Sequence, residues 1–367
     1  MEHLQYNTIK INGFNYSLST LDRLKEREGE DVLGFLKAWA NEDALLTMYT
    51  SGSTGTPKEI RVSKAAMINS ALKTLKFFNL KPGMSALLCL PANYVAGRMM
   101  LVRALVGNLD LIAVKPSSHP LADIDRVVDF AAFTPMQMLN ELKLGSPALL
   151  HLRDVIIGGA KVDSKLDRLL QKVEFKAYET YGMTETLSHI ALRRINGKER
   201  TDGFVPLPDV RLSLDDRSCL CIDAKGICDQ LLVTNDIAEI REDGSFLIKG
   251  RADNIINSGG IKHSPEAIEN KIVHLVDVPF AISHIPHSTL DRQIVLVCQG
   301  KPSDMATLPE RIKKLVKRYE MPAAIYIVDS FPLTESGKIK RTQLASLIEG
   351  LKRSEEHTSE LQSLRHL

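Results

Sequence analysis

The sequence predicts an α/β protein with a large N-terminal domain, built on a mainly parallel sheet, and a smaller α+β C-terminal domain. Three observations predict this fold. Strand-like and helix-like runs alternate through the first two thirds of the chain, short β-type runs follow, and the pattern changes again after residue 252. With 367 residues and 44% hydrophobic content, the chain is long enough for two cores.

The alternation begins with LLTMYT, a strand-like run, and AAMINSALKTLKFF, a helix near residues 64–77. A strand at ALLCLP, a helix-like run MMLVRALVG and a strand at LDLIAV continue the pattern. We expect further buried strands at residues 149–157, before a Gly-Gly pair, and at residues 175–178. Because α/β sheets bind ligands at the carboxyl ends of their strands, the loops after these strands are candidate site segments.

Residues 202–248 read as short β-type runs, VRLSL, CLCID, QLLVTND and SFLIKG, separated by D-D, K-G and D-G turns. They predict a small β subdomain within the large domain. The C-terminal pattern predicts, in order, a helix at 265–275, strands at 280–285 and 294–298, a helix at 309–319 and a strand at 324–328.

These patterns divide the chain into a large domain at residues 1–252, a C-terminal domain at 253–352 and a tail at 353–367. The tail, RSEEHTSELQSLRHL, is charged and hydroxyl-rich and shows no regular apolar face. RSEEHTSELQS is similar to the conceptual translation of a sequencing-library adapter. We therefore expect a non-native or disordered tail and leave it out of the fold.

Composition restricts the class of protein. The net charge of +2 and the absence of a basic patch or tail argue against nucleic acid as a partner. No apolar run approaches the roughly 20 residues that a membrane helix requires, and the N-terminus MEHLQYNTIK does not resemble a signal peptide. We expect a cytoplasmic protein without integral membrane contact, and no pattern in the sequence predicts its oligomeric state.

The five cysteines lie mostly within apolar stretches, and an odd number in a chain without a secretion signal predicts reduced thiols. A zinc site formed by Cys219, Cys221 and Cys228 is disfavoured, because the C-x-C-x6-C spacing is poor and a fourth ligand is missing.

The segment YTSGSTGTPKEI, residues 49–60, combines two glycines with many hydroxyl side chains and one lysine. Glycines let backbone N–H groups turn inward as an anion nest, and Ser, Thr and Lys add further donors, so a nucleotide phosphate is the expected ligand. It is not a Walker A loop, since Gly52 and Gly55 are three positions apart and Lys58 follows Pro57. Taken alone, the segment could equally be a polar surface turn.

Four further segments follow in order: YETYGMTET at 178–186, TND at 234–236, GRADNIINSGGIKHSPEAIE at 250–269 and PLTESGKIKR at 332–341. With the hydroxyl-rich loop first, this order resembles the adenylate-forming superfamily of acyl-CoA synthetases, nonribosomal adenylation domains and luciferases. The resemblance implies an enzyme that joins a carboxylate to the α-phosphate of ATP, releases pyrophosphate and transfers the acyl group to CoA. It also implies a mobile C-terminal domain and a large domain that is shortened at its N-terminus.

The resemblance assigns a nucleotide site. Two anions must meet during adenylation, so positive charge and backbone donors are needed around the transferring phosphorus. The residues implied at the β- and γ-phosphates are Ser51, Gly52, Ser53, Thr54, Gly55 and Lys58. Those implied at the adenosine are Gly158, Gly159, Ala160, Tyr181, Gly182, Asp236, at the ribose hydroxyls, and Arg251.

The resemblance also assigns the reacting centre and the hinge. Thr184 would contact the α-phosphate, Glu185 would hold Mg²⁺, and Lys338 would bridge the carboxylate and the α-phosphate. Asp253 would be the hinge about which the C-terminal domain rotates, and the Gly259–Gly260 segment would then line the path of the CoA thiol.

Two segments, LPANYVAGRMM and YGMTETLSHIALRR, most resemble the o-succinylbenzoate:CoA ligases of menaquinone biosynthesis. Their acid carries two carboxylates, so we expect a fixed cation for the carboxylate that does not react. Arg98 is the preferred cation, with Tyr94, Ser188 and His189 nearby, and Arg103 is a weaker choice.

Two alternatives stay open at this point. Tyr94 occupies a position where many members of the superfamily have His, so the enzyme could be a CoA ligase for another aryl or short-chain acid. A non-catalytic nucleotide-binding member of the fold is the other alternative, although the presence of both Glu185 and Lys338 argues for an enzyme.

Overall fold

The structure is a computed structural model that describes residues 2–21, 29–50, 58–333 and 339–351. Its strands are β1 (Thr8–Ile11), β2 (Phe14–Ser17), β3 (Leu45–Thr50), β4 (Lys58–Ser63), β5 (Ser85–Leu88), β6 (Asp110–Ala113), β7 (Val128–Phe133), β8 (Leu152–Ile157), β9 (Lys176–Gly182), β10 (His189–Arg194), β11 (Val205–Pro206), β12 (Val210–Leu214), β13 (Cys219–Ala224), β14 (Leu232–Ile240), β15 (Phe246–Arg251), β16 (Ile256–Ser258), β17 (Ile261–His263), β18 (Phe280–His287), β19 (Asp291–Gln299) and β20 (Ile325–Val328).

The α-helices are α1 (Glu30–Ala40), α2 (Lys64–Phe77), α3 (Val95–Gly107), α4 (Pro135–Leu144), α5 (Ser164–Leu170), α6 (Pro265–Ile272), α7 (Leu308–Lys313) and α8 (residues 341–351). Short 3₁₀ helices occur at Glu2–Gln5, Pro147–His151, Thr184–Thr186, Ala252–Asn254 and Arg318–Glu320. No helix within the described ranges is both long enough and apolar enough to cross a membrane.

The largest sheet has nine strands in the order β11-β10-β9-β8-β7-β5-β6-β1-β2. Neighbouring strands from β9 through β1 run parallel, and antiparallel strands close both edges. Apolar clusters cover both faces of this sheet, as expected for parallel strands that read as nearly continuous apolar runs. The predicted α/β fold with a mainly parallel sheet is confirmed.

The helix boundaries follow from local sequence signals. Thr134 caps α4: its hydroxyl accepts from the Gln137 N–H at 3.2 Å, and the Gln137 side chain accepts from the Thr134 N–H at 3.0 Å. Pro135 occupies the first turn of α4, and Gly145 ends it at φ +66°. Capping of this kind also begins α6, where the Ser264 hydroxyl accepts from the Ala267 N–H at 3.2 Å.

Two smaller sheets follow along the chain. Strands β12 to β15 form the predicted β subdomain, an antiparallel sheet in sequence order. The C-terminal sheet has the order β17-β16-β19-β18, with β20 parallel to β19, and two further apolar clusters belong to this part of the chain. The division at residue 252 stays a proposal.

Two predicted elements differ in extent. The strand expected from residue 149 begins at Leu152, because the preceding segment Pro147–His151 forms a 3₁₀ helix that starts at a proline. The helix expected over 309–319 consists of α7, at Leu308–Lys313, and the separate 3₁₀ turn Arg318–Glu320. Strand β4 was not predicted from the sequence; it pairs antiparallel with β3 in register Thr50↔Lys58.

Candidate nucleotide and acid site

The loop Gly158–Ala160 follows β8 at the carboxyl edge of the large sheet. The Gly158 N–H donates to the Phe133 carbonyl at 3.0 Å, which fixes the start of the loop against β7. A side chain at Gly158 would collide with the Thr180 hydroxyl, and Gly159 has φ +85°. The Thr180 side chain therefore leaves no room for a side chain at Gly158, and the left-handed backbone at Gly159 favours glycine.

A buried carboxylate on β9 braces this loop. The Glu179 Oε1 atom accepts from the Val162 N–H at 2.8 Å, and Oε2 accepts from the Arg193 guanidinium at 2.8 Å. Glu179 was not among the residues predicted from the sequence. The signal available was its place in YETYG, where alternation on a strand puts Glu179 and Tyr181 on the same face.

Asp236 on β14 is the centre of a hydrogen-bonded cluster at the predicted ribose site. The Tyr181 hydroxyl donates to Asp236 Oδ2 at 2.7 Å, and the Arg251 guanidinium donates to Oδ1 at 2.9 Å. Burial and the neighbouring Asp236 carboxylate raise the pKa of Tyr181, so its phenol is a permanent donor. Three of the predicted adenosine residues thus lie in direct contact with one another.

The turn after β9 presents the predicted Mg²⁺ ligand. Thr186 shapes the turn: its hydroxyl accepts from the Met183 N–H at 2.9 Å and donates to the Ser188 carbonyl at 2.7 Å. A side chain at Gly182 would collide with the Ser188 carbonyl, so the turn packs directly on β9. Thr184 is half-buried in this turn and the Glu185 side chain is exposed.

An exposed carboxylate such as Glu185 suits Mg²⁺, which prefers oxygen ligands and keeps several waters. Residues 2–21, 29–50, 58–333 and 339–351 contain no group of three or more His, Cys, Asp or Glu side chains that could hold a metal. The donor set therefore fits a Mg²⁺ ion held by one carboxylate together with phosphate oxygens and water, and it does not form a complete protein cage. All five cysteines are free thiols, in agreement with the prediction of reduced cysteines.

Several predicted residues cannot be compared with the structure. Those outside the described residues are Ser51, Gly52, Ser53, Thr54, Gly55 and Lys338. Lys58 begins β4, and only its backbone is described. The roles of these residues stay predictions from the sequence.

Arg98, the preferred acid-binding residue, lies near the start of α3. Its guanidinium donates to the Ala92 carbonyl at 3.0 Å and to the Thr47 carbonyl on β3 at 2.7 Å. It also borders a cavity of about 410 Å³ between α1 and β3. Tyr94, which precedes α3, is 45% exposed. Arg98 thus connects α3 to the strand that leads into the hydroxyl-rich loop.

Arg103, the weaker choice in the sequence, occupies a different environment on the same helix. Its side chain is 1% exposed, its guanidinium donates to the Ser188 hydroxyl at 2.6 Å, and its guanidinium carbon lies 5.9 Å from the centre of the Phe130 ring. Within the described part of the chain no carboxylate forms an ion pair with it. Burial lowers the pKa of Arg103 to about 9.

His189 lies beside this arginine. Its Nδ1 atom is 3.3 Å from the Ser188 hydroxyl, and burial, followed by the charge of Arg103, lowers the pKa of His189 well below its usual range. Ser188 and His189 were expected near Arg98, and the structure groups them with Arg103. Five helical residues correspond to a rotation of about 140°, so the two arginines lie on different faces of α3.

The C-terminal part of the chain contacts the loop after β8 and the last strand of the β12–β15 sheet. The Lys161 ammonium donates to the Asn270 side chain on α6 at 2.5 Å, and the Ser264 hydroxyl donates to the Lys249 carbonyl on β15 at 3.0 Å. The predicted hinge residue Asp253 lies in the turn Ala252–Asn254 and accepts from Arg251 at 2.8 Å. The Gly259–Gly260 segment forms the tight turn between β16 and β17, with φ +59° and +82°.

A double-glycine loop and an exposed carboxylate follow the adjacent parallel strands β8 and β9 of the large sheet. The buried carboxylate of Asp236, on the neighbouring antiparallel sheet, is joined to the end of β9 by the Tyr181 hydroxyl, and the arrangement resembles that of a nucleotide-dependent enzyme. The AMP-binding enzyme family matches residues 9–225, more than half of the chain, and the chain belongs to that family.

Its relatives agree with this assignment. The 2-succinylbenzoate–CoA ligase of Staphylococcus epidermidis is 24% identical over 365 residues, covering 92% of this chain and 76% of that protein. The enzyme of the same name from Bacillus pumilus is 22% identical over 377 residues, covering 89% of this chain and 74% of that protein.

Among solved structures, an acyl-CoA synthetase (AMP-forming)/AMP-acid ligase II-like protein from Dyadobacter fermentans is 34% identical, with a TM-score of 0.61. That match covers 89% of this chain and 96% of the other. O-succinylbenzoate coenzyme A synthetase from Bacillus subtilis, in complex with ATP and magnesium, has a TM-score of 0.70 at 19% identity. The match covers 81% of this chain and 69% of that chain, and it shows the shared fold. The predictions of an adenylate-forming enzyme and of an AMP-forming acid–thiol ligase are therefore confirmed as to class.

Proposed function

We propose that this chain is an ATP-dependent acid–CoA ligase whose acid carries a second carboxylate, and that the acid is o-succinylbenzoate of menaquinone biosynthesis. The names of the relatives from Staphylococcus epidermidis and Bacillus pumilus support this choice of acid. The reaction has two steps. A carboxylate oxygen attacks the α-phosphorus of ATP and pyrophosphate leaves; the thiol of CoA then attacks the acyl carbon and AMP leaves.

The environment of Arg103 is the observation that supports a substrate with a second carboxylate. A guanidinium that is 1% exposed and forms no described ion pair is costly to bury. A carboxylate of the substrate would supply the missing counter-charge, with two parallel N–H···O bonds as the favoured geometry. The contact from Arg103 to Ser188 places this cation next to the turn that holds Thr184 and Glu185.

The other predicted site residues have separate roles in the first step, the formation of the acyl-adenylate. Asp236 would accept hydrogen bonds from the ribose hydroxyls, and the Gly158–Ala160 backbone would pack against the adenine. Mg²⁺ bound at Glu185 would offset phosphate charge. Thr184 and Lys338 would contact the α-phosphate, and Lys338 would also neutralise the attacking carboxylate.

For the second step we propose that residues 253–352 rotate about Asp253 as a unit. The short turn Ala252–Asn254 between β15 and β16 supports this position of the hinge. Rotation would remove Lys338 from the phosphates and bring the Gly259–Gly260 turn beside the path of the thiol. We also propose a cytoplasmic location, since ATP and CoA are both substrates.

Acid-dependent ATP–pyrophosphate exchange tests this function. We expect exchange with o-succinylbenzoate, little with benzoate or short monocarboxylic acids, and formation of a thioester when CoA is added. Faster exchange with another aryl or short-chain acid would identify a different ligase. ATP binding without exchange for any acid would instead indicate a non-catalytic nucleotide-binding protein.

A further inference from the structure

A chain of hydrogen bonds connects Arg103 to the backbone of α2. The Arg103 guanidinium donates to the Ser188 hydroxyl at 2.6 Å, which lies 3.3 Å from His189 Nδ1. On the other side of the ring, His189 Nε2 lies 3.4 Å from the Thr74 hydroxyl, which donates to the Ser70 carbonyl at 3.2 Å. Thr74 is completely buried, and His189 is 5% exposed.

The Thr74 end fixes one ring nitrogen. A carbonyl can only accept, so Thr74 donates its one proton to Ser70 and its oxygen accepts from His189 Nε2–H. Burial and the charge of Arg103 lower the pKa of His189 well below its usual range, so the ring is neutral and Nδ1 carries no proton. Nδ1 therefore accepts from the Ser188 hydroxyl, whose oxygen accepts in turn from Arg103.

This series of hydrogen bonds holds the Arg103 guanidinium without neutralising its charge. A carboxylate partner would orient Arg103 equally well, but it would compete with any anionic ligand for the same charge. Neutral acceptors leave the positive charge available. A further contact of the guanidinium within the described residues, with the Phe130 ring at 5.9 Å, also carries no formal charge.

We propose that His189 and Thr74 are positioning residues that set the selectivity of the enzyme for acids with a second carboxylate. By fixing the Ser188 hydroxyl as an acceptor, they orient the Arg103 guanidinium toward the substrate. The inference rests on the proposed function, in which Arg103 binds that carboxylate. It adds two residues, one of them on α2, that do not contact the acid.

The test uses two variants of Thr74 in the full-length protein. Thr74→Val removes the hydroxyl and keeps the shape, whereas Thr74→Ser retains the hydroxyl. We expect Thr74→Val to raise KM for o-succinylbenzoate about tenfold with little change in kcat, because one hydrogen bond in the chain is lost. The same variant should leave KM for an analogue without the second carboxylate nearly unchanged, and Thr74→Ser should behave like the wild type.

Nitrogen-15 spectra of histidine-labelled protein give a second, substrate-free measurement, with the His189 signal assigned by its loss in His189→Gln. We expect Nε2–H alone in the wild type and a mixture of tautomers in Thr74→Val. An Nδ1–H or doubly protonated His189 in the wild type at neutral pH would overturn the proposal.

The kinetic outcomes separate the two claims. If the wild type prefers the diacid, Arg103→Gln removes that preference and Thr74→Val retains it, then the positioning role is wrong and the proposed function stands. If the wild type does not turn over the diacid, the proposed function is wrong and the inference falls with it.

Discussion

Arg251 and Asp236 face each other on the adjacent strands β15 and β14, with the guanidinium 2.9 Å from Asp236 Oδ1. The second oxygen of Asp236 accepts the Tyr181 hydroxyl at 2.7 Å. A carboxylate offers about four acceptor positions, so both contacts leave capacity for ribose hydroxyls. The two contacts thus hold the carboxylate in one orientation, and the proposed binding of the ribose would require no rearrangement of Asp236.

Asp236→Asn should therefore raise KM for ATP by about 10- to 100-fold, since a hydrogen bond to a charged group contributes roughly 1.5–3 kcal/mol. Steady-state kinetics at saturating acid give the measurement. Glu239→Gln is the matched control, because Glu239 lies on the same strand in a surface pair with Lys249 and should have almost no effect. Equal KM values for the wild type and Asp236→Asn would exclude Asp236 from the nucleotide site.

The lack of room for a side chain at Gly158 predicts the effect of a substitution in the double-glycine loop. In Gly158→Ala the added methyl group would meet the Thr180 hydroxyl, which itself donates to the Ile157 carbonyl at 3.3 Å. We expect a loss of about 1–3 kcal/mol in unfolding free energy, together with weaker ATP binding. Thr180→Ala removes the colliding oxygen, so the double variant should recover much of the loss. Additive losses in the double variant would show that the collision is not the cause.

Part of the fold could be predicted, because several elements have a strong local pattern, such as the apolar runs of β3, β6 and β8. β4 was missed, because KEIRVS is mostly polar and follows a turn-rich segment directly. The cluster of Asp236, Tyr181 and Arg251 was expected from ordered motifs. The contacts of Glu179 were not, since they join positions that only the sheet brings together.

Mg²⁺ dependence tests the exposed carboxylate after β9. Glu185→Gln keeps the size of the side chain and removes its charge, so the Mg²⁺ concentration that gives half-maximal activity should rise severalfold or more. The measurement is a titration of pyrophosphate exchange at fixed ATP. The Mg²⁺ requirement of Glu199→Gln, a carboxylate in the loop after β10, should match that of the wild type. An unchanged titration for Glu185→Gln would remove Glu185 from the metal site.

Lys338 lies outside the described residues, and its role rests on the PLTESGK motif. Lys338→Ala should slow adenylate formation by several hundredfold or more, since one preorganised charge contributes roughly 3–4 kcal/mol at such sites. Supplied with preformed acyl-adenylate and CoA, the same variant should still form thioester. Lys340→Ala is a neighbouring control. A similar loss in both half-reactions of Lys338→Ala would contradict a role confined to adenylation.

The local sequence does not distinguish the two candidate arginines for the second carboxylate. Arg98 and Arg103 belong to one apolar helix, and nothing in VAGRMMLVRALVG says which of them meets Ser188, 85 or more positions later. Arg98 instead donates to two backbone carbonyls, at Ala92 and Thr47. Which arginine contacts Ser188 depends on how α3 is rotated about its axis on the sheet. The local sequence of the helix does not determine this rotation.

A comparison of Arg98→Gln and Arg103→Gln decides between the two arginines. Loss of one partner from a buried charged pair typically costs about 2–5 kcal/mol, so Arg103→Gln should lower kcat/KM for o-succinylbenzoate by at least tens of fold. For the analogue without the second carboxylate the same variant should have little effect, because no charge is left without its partner. Arg98→Gln should affect both acids alike, since it removes hydrogen bonds that connect α3 to β3. The difference between the two acids isolates the pair from general damage to the site.

Thermal unfolding without ligands separates a binding role of Arg103 from a structural one. Removal of a buried charge without a described ion pair relieves a desolvation cost, so Arg103→Gln should be about as stable as the wild type, or more so. Arg98→Gln should unfold at a lower temperature, because the carbonyls of Ala92 and Thr47 lose their donor. If Arg103→Gln is the less stable variant and slows both acids equally, Arg103 is structural. A selective loss of the diacid in Arg98→Gln would instead restore Arg98 as the residue that binds the second carboxylate.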